Sequence, residues 1–242
     1  MEERLFPLIF ASCAAEEFVQ LEGTVVEAHD STAPLADARV AFVDEVGVPL
    51  GETTTDGYGD FAIELPAGVN VFVTIDAEGF VTTAFPGVIG LLPTQRVEGY
   101  TLYGTSVEEH DLLLAIWDGC PGLTTKTGAI VVGEQRIYGL EDDAGESPSV
   151  NTGIATLRSA TGSAVLDGCY LTDDGTAYDP AAETTGPSGT FLVAGAEPGS
   201  WELEVQYEYG IDQWSAALYP VWLPADGPIV SPWYPAWVPF GT

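Results

Sequence analysis

Three cysteines are the residues of this 242-residue chain best suited to covalent chemistry. Cys120 and Cys169 each follow an Asp-Gly pair, whereas Cys13 stands alone near the N-terminus. No two cysteines have the Cys-x-x-Cys spacing of a zinc site, so we predict no zinc there. An exported chain meets oxidising conditions, and we then predict a disulfide between Cys120 and Cys169, with Cys13 as the odd thiol. The alternative is three unpaired thiols in a reducing compartment.

The two histidines, His29 and His110, give little support for catalysis. A nucleophilic triad needs a histidine beside an activated serine or cysteine, and the chain has no Gly-x-Ser-x-Gly elbow. Glycoside cleavage needs two carboxylates that converge in a cleft with aromatic walls, whereas a small β-sandwich offers loop ends. The sequence therefore predicts no catalytic residue, no cofactor and no enzyme.

The charge of the chain is strongly one-sided. Acidic residues number 37 against Lys126 and five arginines, which gives a net charge of −31. A field of that sign repels nucleic-acid phosphates and anionic lipids, so we exclude both as partners. The simplest interpretation is an adaptation for solubility. Calcium binding is the alternative, but the acidic clusters 141–143 and 173–175 lack the spaced ligands of an EF-hand loop, and no metal ligand is assigned.

Aromatic residues crowd into the last thirty positions, at Trp214, Tyr219, Trp222, Trp233, Tyr234, Trp237 and Phe240. They could cap the open end of a sandwich, stack on sugar rings, or form an apolar strip that a partner subunit buries. The candidate binding residues for a partner or a glycan are Trp214, Trp222, Trp233, Tyr234 and Trp237. Because prolines recur every few residues, we expect no central strand over most of this tail.

The elements that must position these residues follow from a repeated block. In Thr53–Ile75, apolar residues alternate with polar or small ones on both sides of a Pro-Ala-Gly turn, which predicts two strands with one buried face each. Thr184–Val205 repeats the pattern. The matched pairs are Thr54 and Thr184, Thr55 and Thr185, Gly59 and Gly189, Phe61 and Phe191, Ile63 and Val193, Val71 and Trp201, Val73 and Leu203, and Ile75 and Val205. We therefore predict one β-sandwich unit used twice.

Outside the repeated block the pattern is weaker. We expect the second unit to begin at Gly128–Val132, as the counterpart of Gly23–Val26, and to carry about fifteen extra residues between Gly153 and Thr184, at a loop end. Residues 85–99 indicate an irregular crossing segment. Leu112–Ile116 fits a helix or a strand by periodicity, and the short space between its flanks favours a strand.

A wider set of residues frames the first copy: Gly23, Val25, Pro34, Leu35, Ala38, Val40, Thr54, Thr55, Asp56, Gly59, Phe61, Pro66, Gly68, Gly79 and Phe80. On these residues, positions 20–85 resemble the carboxypeptidase regulatory-like domain, a small transthyretin-like β-sandwich. That resemblance implies the same fold, in a secreted bacterial protein, without an activity of its own. We therefore expect an all-β chain of two tandem transthyretin-like or Ig-like antiparallel β-sandwich domains.

The predicted order is a segment 1–17, a first domain 18–104, a connecting segment or strand 105–126, and a second domain 127–242 with the aromatic tail. The first segment holds a short apolar run that ends in Phe10-Ala11-Ser12-Cys13. This run is similar to a bacterial lipoprotein signal that is lipidated at Cys13, and the alternative is an N-terminal strand. It is too short to span a bilayer.

These patterns favour a non-enzymatic, exported protein of a bacterial cell surface. It would be a structural, adhesive or fibre-forming subunit that associates with itself or with another surface protein. The alternative is a carbohydrate- or protein-binding accessory module of a surface lipoprotein, which would touch an outer membrane only through a lipid anchor.

Overall fold

The computed structural model of the chain describes residues 18–90, 96–123, 128–138, 149–210, 213–225 and 227–239, with backbone only at 86–90, 128, 137–138, 209–210, 213 and 233–239. In chain order the elements are β1 (Phe18–Glu27), β2 (Arg39–Val43), β3 (Pro49–Thr54), β4 (Asp60–Pro66), β5 (Asn70–Asp76), β6 (Phe80–Gly90), β7 (Val97–Ser106), α1 (Val107–Ile116), β8 (Gly128–Tyr138), β9 (Gly153–Ser159), β10 (Val165–Asp167), β11 (Cys169–Tyr170), β12 (Thr190–Ala196), β13 (Gly199–Gly210), β14 (Gln213–Leu223) and β15 (Pro228–Pro239). Apart from α1, the regular elements of these described residues are strands, which confirms the predicted all-β class.

The first unit, β1 to β7, is a sandwich of two layers. In one layer β1 lies between β4, which is antiparallel to it, and β7, which is parallel. In the other layer β2 lies between β3 and β5, and β5 pairs with β6, all antiparallel. The buried core between the layers consists of Val19, Leu21, Val25, Leu35, Ala38, Val40, Phe42, Phe61, Leu65, Val71, Val73, Ile75 and Leu102. The alternation in the sequence therefore marks the residues that meet between the two layers.

The second unit, β8 to β15, repeats these pairings strand by strand. β8 lies between β12, antiparallel, and β15, parallel, and the short β11 extends this layer beyond β12. β9 lies between β10 and β13, and β13 pairs with β14. Each unit thus adds one parallel pair to an otherwise antiparallel sandwich.

The register of the strands confirms the predicted repeat of Thr53–Ile75 in Thr184–Val205. In the first unit Val40 lies opposite Ile75, and Phe42 lies opposite Val73. In the second unit the same positions hold Ala155 opposite Val205 and Leu157 opposite Leu203. The predicted match between Gly23 and Gly128 is wrong by five residues, however, although β8 itself begins at Gly128. Gly23 lies opposite Phe61 and Gly133 lies opposite Phe191, so the counterpart of Gly23 is Gly133 rather than Gly128.

A buried threonine fixes the same turn in each unit. The Thr55 hydroxyl donates to the carbonyl of Leu35 at 2.6 Å and accepts from the amide of Ala38 at 2.9 Å. In the second unit the corresponding bonds join Thr185 to the carbonyl of Val150 at 2.5 Å and to the amide of Gly153 at 2.8 Å. Because each hydroxyl satisfies two buried backbone groups, both threonines stabilise the fold from inside the core.

One buried pair differs between the two copies. Val25 and Ala38 of the first unit correspond by register to Gln135 and Gly153 of the second. Gln135 is fully buried, and its amide nitrogen donates to the carbonyl of Ile154 at 3.0 Å. A Cβ on Gly153 would lie 1.4 Å from the Gln135 side-chain oxygen. The larger side chain of Gln135 therefore occupies the space that the missing Cβ of Gly153 leaves open.

The segment between the units holds a helix, so the strand predicted at Leu112–Ile116 is wrong. The Ser106 side chain caps α1 by accepting from the amide of Glu109 at 3.2 Å, and Glu108 and Glu109 lie in the first turn, where carboxylates favour a helix. The helix begins at Val107 and therefore has more length than the apolar run alone indicates. Trp117, which ends the helix, is 1% exposed.

Trp117 belongs to a third buried cluster that attaches this connection to the second unit. The cluster combines Val81 of β6 with Trp117 and with residues of β8, β12 and β15: Ile130, Leu192, Ala194 and Val230, together with Leu171 and both disulfide cysteines. The predicted bond between Cys120 and Cys169 is confirmed, with Cα atoms 6.0 Å apart. The disulfide thus ties the end of the connection to β11.

The two units share a strand contact. β15 pairs with β8 along its length and also, in parallel, with β6, where Ile229 lies opposite Thr82 and Val230 opposite Thr83. The expectation that prolines exclude a central strand is wrong for the start of β15. Proline is accommodated because it begins the strand at Pro228 and because the pairing with β6 ends at Val230, beyond which β15 pairs with β8 alone in the described residues. Of residues 85–99, predicted as irregular, 85–90 end β6 and 97–99 begin β7, whereas 91–95 lie outside the described residues.

Candidate interaction surface

The candidate aromatic residues divide between two strands. Trp214 and Trp222 lie on β14, where Trp214 is 47% exposed and Trp222 is half-buried. Trp233, Tyr234 and Trp237 lie in β15, and their side chains are outside the described residues. The structure therefore does not gather the predicted aromatic residues into one described patch. Cys13, the predicted lipidation site, also lies outside the described residues.

β14 presents an exposed apolar row on one face of its strand. Trp214, Ala216, Leu218 and Pro220 alternate with inward-facing residues, and Leu218 is 57% exposed. The eleven residues of β14 contain no charged side chain. In the part of the chain that the structure describes, β14 is the last strand of its sheet, after β10, β9 and β13. A long, uncharged edge strand with exposed apolar residues is a surface suited to pairing with another strand.

An acidic row lies beside this apolar row on β13. Glu208 lies opposite Trp214, Glu204 opposite Leu218, and Glu202 opposite Pro220. Arg158 of β9 pairs with Glu204 at 3.1 Å, which offsets part of the negative charge. The surface therefore combines an apolar strip with a negative border.

A groove of about 330 Å³ lies at the junction of the two units. Trp222 and Pro224 line it from the second unit, and Arg39, Glu52 and Asp76 line it from the first. The Arg39 guanidinium donates to Glu52 at 2.7 Å and to Asp76 at 3.1 Å, and the hydrogen bond to Glu52 is the main reason that its pKa is raised. An indole ring beside an arginine and two carboxylates can offer stacking and hydrogen bonds to a small polar ligand.

Trp222 also holds the two units together. A Cβ on Gly47, in the turn between β2 and β3, would lie 2.6 Å from the indole nitrogen of Trp222. The Ser200 hydroxyl of β13 donates to the carbonyl of Glu45 in the same turn at 2.7 Å. Trp222 therefore contributes to the junction itself, in addition to lining the groove.

A larger hollow of about 520 Å³ lies on the first unit, and its carboxylates already have local partners. Asp60 accepts from the Thr24 hydroxyl at 2.7 Å. Asp56 accepts from the backbone amides of Tyr58 at 2.8 Å and Asp60 at 3.0 Å. These bonds assign the carboxylates to turn formation and strand pairing.

The histidines do not form a catalytic arrangement in the described residues. His29 lies 3.4 Å from Glu109, and buried His110 lies 3.7 Å from Asp111. Burial raises the pKa of the Glu109 carboxyl, while His29 lowers it. Across the described ranges, no group of three or more His, Cys, Asp or Glu side chains is placed to hold a metal ion. No described helix is both long enough and apolar enough to cross a bilayer.

Comparisons with known proteins give weak similarities to solved structures. No protein-family model and no curated protein matches the chain. The Bacillus anthracis TIE protein is 14% identical, with a TM-score of 0.33, over 89% of this chain and 33% of that one. The shaft pilin SpaA from Lactobacillus rhamnosus GG is 11% identical, with a TM-score of 0.23, over 91% and 98% of the two chains. The Streptococcal ancillary pilin is 11% identical, with a TM-score of 0.28, over 89% and 62%.

A TM-score of this size does not establish a shared fold or a shared function. The chain spans about a third of the length of the TIE protein that it matches. The resemblance of residues 20–85 to the carboxypeptidase regulatory-like domain stays a prediction.

Sequence reasoning missed Ala216 and Leu218 because they are neither aromatic nor charged. The available signal was the absence of charge over eleven residues in a chain with a net charge of −31. Pattern alone does not reveal that β14 ends a sheet, since that depends on the pairing of distant strands.

Proposed function

We propose that this chain is a non-enzymatic structural subunit of an exported, cell-surface assembly, and that it associates with itself through a sheet edge. The observation that carries the proposal is β14, an uncharged edge strand on which Trp214 and Leu218 are 47% and 57% exposed. An edge strand leaves backbone hydrogen-bonding groups unpaired, and a strand added there pairs them and covers part of the neighbouring apolar side chains.

The way the units are joined supports a structural role. Ala84 of β6 packs in the buried core of the second unit, and β15 pairs with strands of both units. The disulfide adds a covalent link between the connection and β11. Two units held by a shared sheet and a shared core suit a subunit that transmits load along a fibre.

The remaining features of the proposal concern location and boundaries. Export agrees with the disulfide, since such bonds persist in oxidising compartments. Residues 18–104 and 127–242 would be the two domains, with residues 1–17 as the segment that is lipidated at Cys13. Intact-mass measurement on native material reads cleavage, lipidation and the disulfide together.

Light scattering coupled to size exclusion tests the self-association. Wild-type protein at micromolar concentration is expected to give species larger than a monomer, and their proportion should grow as salt is added. Salt favours assembly because each copy carries a charge of −31, and the repulsion between copies is screened over about 8 Å at physiological ionic strength. A monomer at every salt and protein concentration would refute self-association.

A second candidate function, glycan binding, is favoured by the groove that Trp222 lines with Arg39. The test is a titration of neutral oligosaccharides followed by tryptophan fluorescence, for wild-type protein and for Arg39→Met. Binding in the groove predicts a spectral shift that Arg39→Met weakens. Arg158→Met, which removes an exposed, ion-paired arginine outside the groove, is the matched control and should leave the shift unchanged. Flat titrations with the wild-type protein would remove this candidate.

A further inference from the structure

The duplicated fold identifies which strand of the first unit corresponds to the exposed β14. Thr83 of β6 lies opposite Ile75, and Ala217 of β14 lies opposite Val205. Ile75 and Val205 are counterparts. Ile75 lies opposite Val40 of β2, and Val205 lies opposite Ala155, the equivalent residue of β9. β14 is therefore the second unit's version of β6, and Ala84 corresponds to Leu218.

The counterpart positions have opposite environments. The edge of β6 is occupied at Thr82 and Thr83 by β15, and Ala84 is 1% exposed because it packs in the core of the second unit. Leu218, at the counterpart position on β14, is 57% exposed. The molecule thus contains the same strand edge twice, once covered by the following unit and once at the end of a sheet in the described residues.

The strand that covers β6 also has a counterpart in the first unit. β15 is the parallel partner of β8, and β7 is the parallel partner of β1, so β7 corresponds to β15. On its side away from β1, β7 pairs with β6 only at Thr105 and Ser106 within the described residues. The residues of β15 that bond to β6, Ile229 and Val230, correspond to positions 95 and 96, directly before β7 begins at Val97, and position 95 is outside the described residues.

We propose that the contact between the two units is repeated between copies of the chain. The β14 edge of one copy takes the β7 side of the next copy's first unit, in the orientation in which β6 takes the β15 side of the second unit within the chain, and Leu218 is covered as Ala84 is. This proposal rests on the self-association proposed above and names its surface. The contact joins two different surfaces, so it leaves a β14 edge and a β7 edge unused at the two ends and builds an open series instead of a closed dimer.

The residues of β14 fit such an approach. Ala216 and Ala217 stand where the covered strand has Thr82 and Thr83, so no bulkier side chain obstructs a neighbouring strand at about 4.8 Å. The negative border formed by Glu202, Glu204 and Glu208 lies one strand further in. The second copy must approach this border, so the contact requires salt to screen the charges.

The first experiment compares Leu218→Glu with Val165→Glu by light scattering and negative-stain electron microscopy in added salt. Val165 is a matched control, because it is 50% exposed and lies on β10 at the opposite edge of the same sheet. Leu218→Glu is expected to weaken assembly at least about tenfold, because association would bury an unpaired carboxylate. Val165→Glu should assemble as the wild type does. Circular dichroism establishes that both variants are folded, and Ala216→Glu provides a second substitution on the same row.

The second experiment adds Leu218→Glu to wild-type protein, with the variant present at less than an equimolar amount. The variant retains β7, so it is expected to bind one end of a growing series and to shorten the assemblies. The results separate the two proposals. A wild-type monomer under all conditions overturns self-association and this contact together. Normal assembly of Leu218→Glu, or wild-type assembly that stops at a dimer, overturns the head-to-tail contact and leaves self-association standing.

Discussion

The first unit buries Val25 and Ala38 at the positions where the second unit has Gln135 and Gly153. This difference allows a direct test of the duplicated core. Gly153→Ala places a Cβ 1.4 Å from the Gln135 side-chain oxygen and 2.9 Å from the Thr185 hydroxyl. Gln135 must then move and give up its hydrogen bond to Ile154. Overpacking costs about 1–3 kcal/mol and a buried group left without its partner about as much again, so we expect a loss of roughly 2–6 kcal/mol.

The double variant distinguishes a local clash from general intolerance. Gln135→Val alone removes the hydrogen bond and leaves the space above Gly153 empty, and it should destabilise by about 1–3 kcal/mol. Gln135→Val with Gly153→Ala recreates the valine–alanine pair that the first unit buries completely. We therefore expect the double variant to be more stable than Gly153→Ala, with a coupling of roughly 2 kcal/mol.

Urea unfolding followed by tryptophan fluorescence measures these free energies, since Trp201 lies in the core of the second unit. Ala38→Gly combined with Gln135→Val is the control, because the two changes lie in different units and should add without coupling. Additive effects for the Gln135 and Gly153 pair would contradict the structural equivalence of the two copies at this site.

Three further predictions concern the disulfide, the junction and a buried carboxyl. Replacing Cys120 and Cys169 by alanine should lower stability by about 4 kcal/mol, since the bond closes a separation of 49 residues, while Cys13→Ala should leave urea unfolding unchanged. Gly47→Ala should cost about 1–3 kcal/mol in the same assay, because its Cβ would meet Trp222 and its φ is +84°. Gly68→Ala is the control, because its φ is +78° but no atom lies near its Cβ. It carries the backbone strain alone and should cost less. Burial raises the pKa of Glu109, so the folded protein keeps that proton where the unfolded chain has lost it, and stability should fall as pH rises just above the ordinary glutamate range. In a plot of melting temperature against pH, Glu109→Gln should flatten the slope over that pH range. An unchanged slope would count against assigning the pH dependence to Glu109.

The strands of the core could be predicted because their buried positions appear in the sequence as alternating apolar residues. Val71, Val73 and Ile75 alternate with partners that face out or lie against a neighbouring layer, and Trp201, Leu203 and Val205 repeat the spacing. The start of the second unit could not be aligned in this way. Gln135 replaces the apolar Val25 at a fully buried position, which removes the apolar match that would have fixed the register.

Other errors came from giving weight to one local signal and overlooking another. α1 begins with the Ser106 cap and two glutamates, a local helix-start signal that the apolar run 112–116 does not include. Pro228 begins β15, where a missing amide is harmless, so proline frequency was a poor guide to strand formation.

The candidate surface was predictable in part. Aromatic content identified Trp214 and Trp222 as residues of interest, but not their different roles, since Trp214 is exposed and Trp222 packs on Gly47 of the other unit. Leu218 carries no local signal. Its importance comes from comparison with Ala84, which requires the register of both units.

Sedimentation velocity of the wild-type chain tests the central claim most directly. The average sedimentation coefficient, measured over a series of protein concentrations at low and at high ionic strength, reports whether copies associate. We predict that the coefficient rises with concentration, without reaching the plateau of a dimer, and that it rises further when salt is added. One sedimentation coefficient, that of a monomer, at every concentration and ionic strength would contradict the account of a self-assembling structural subunit.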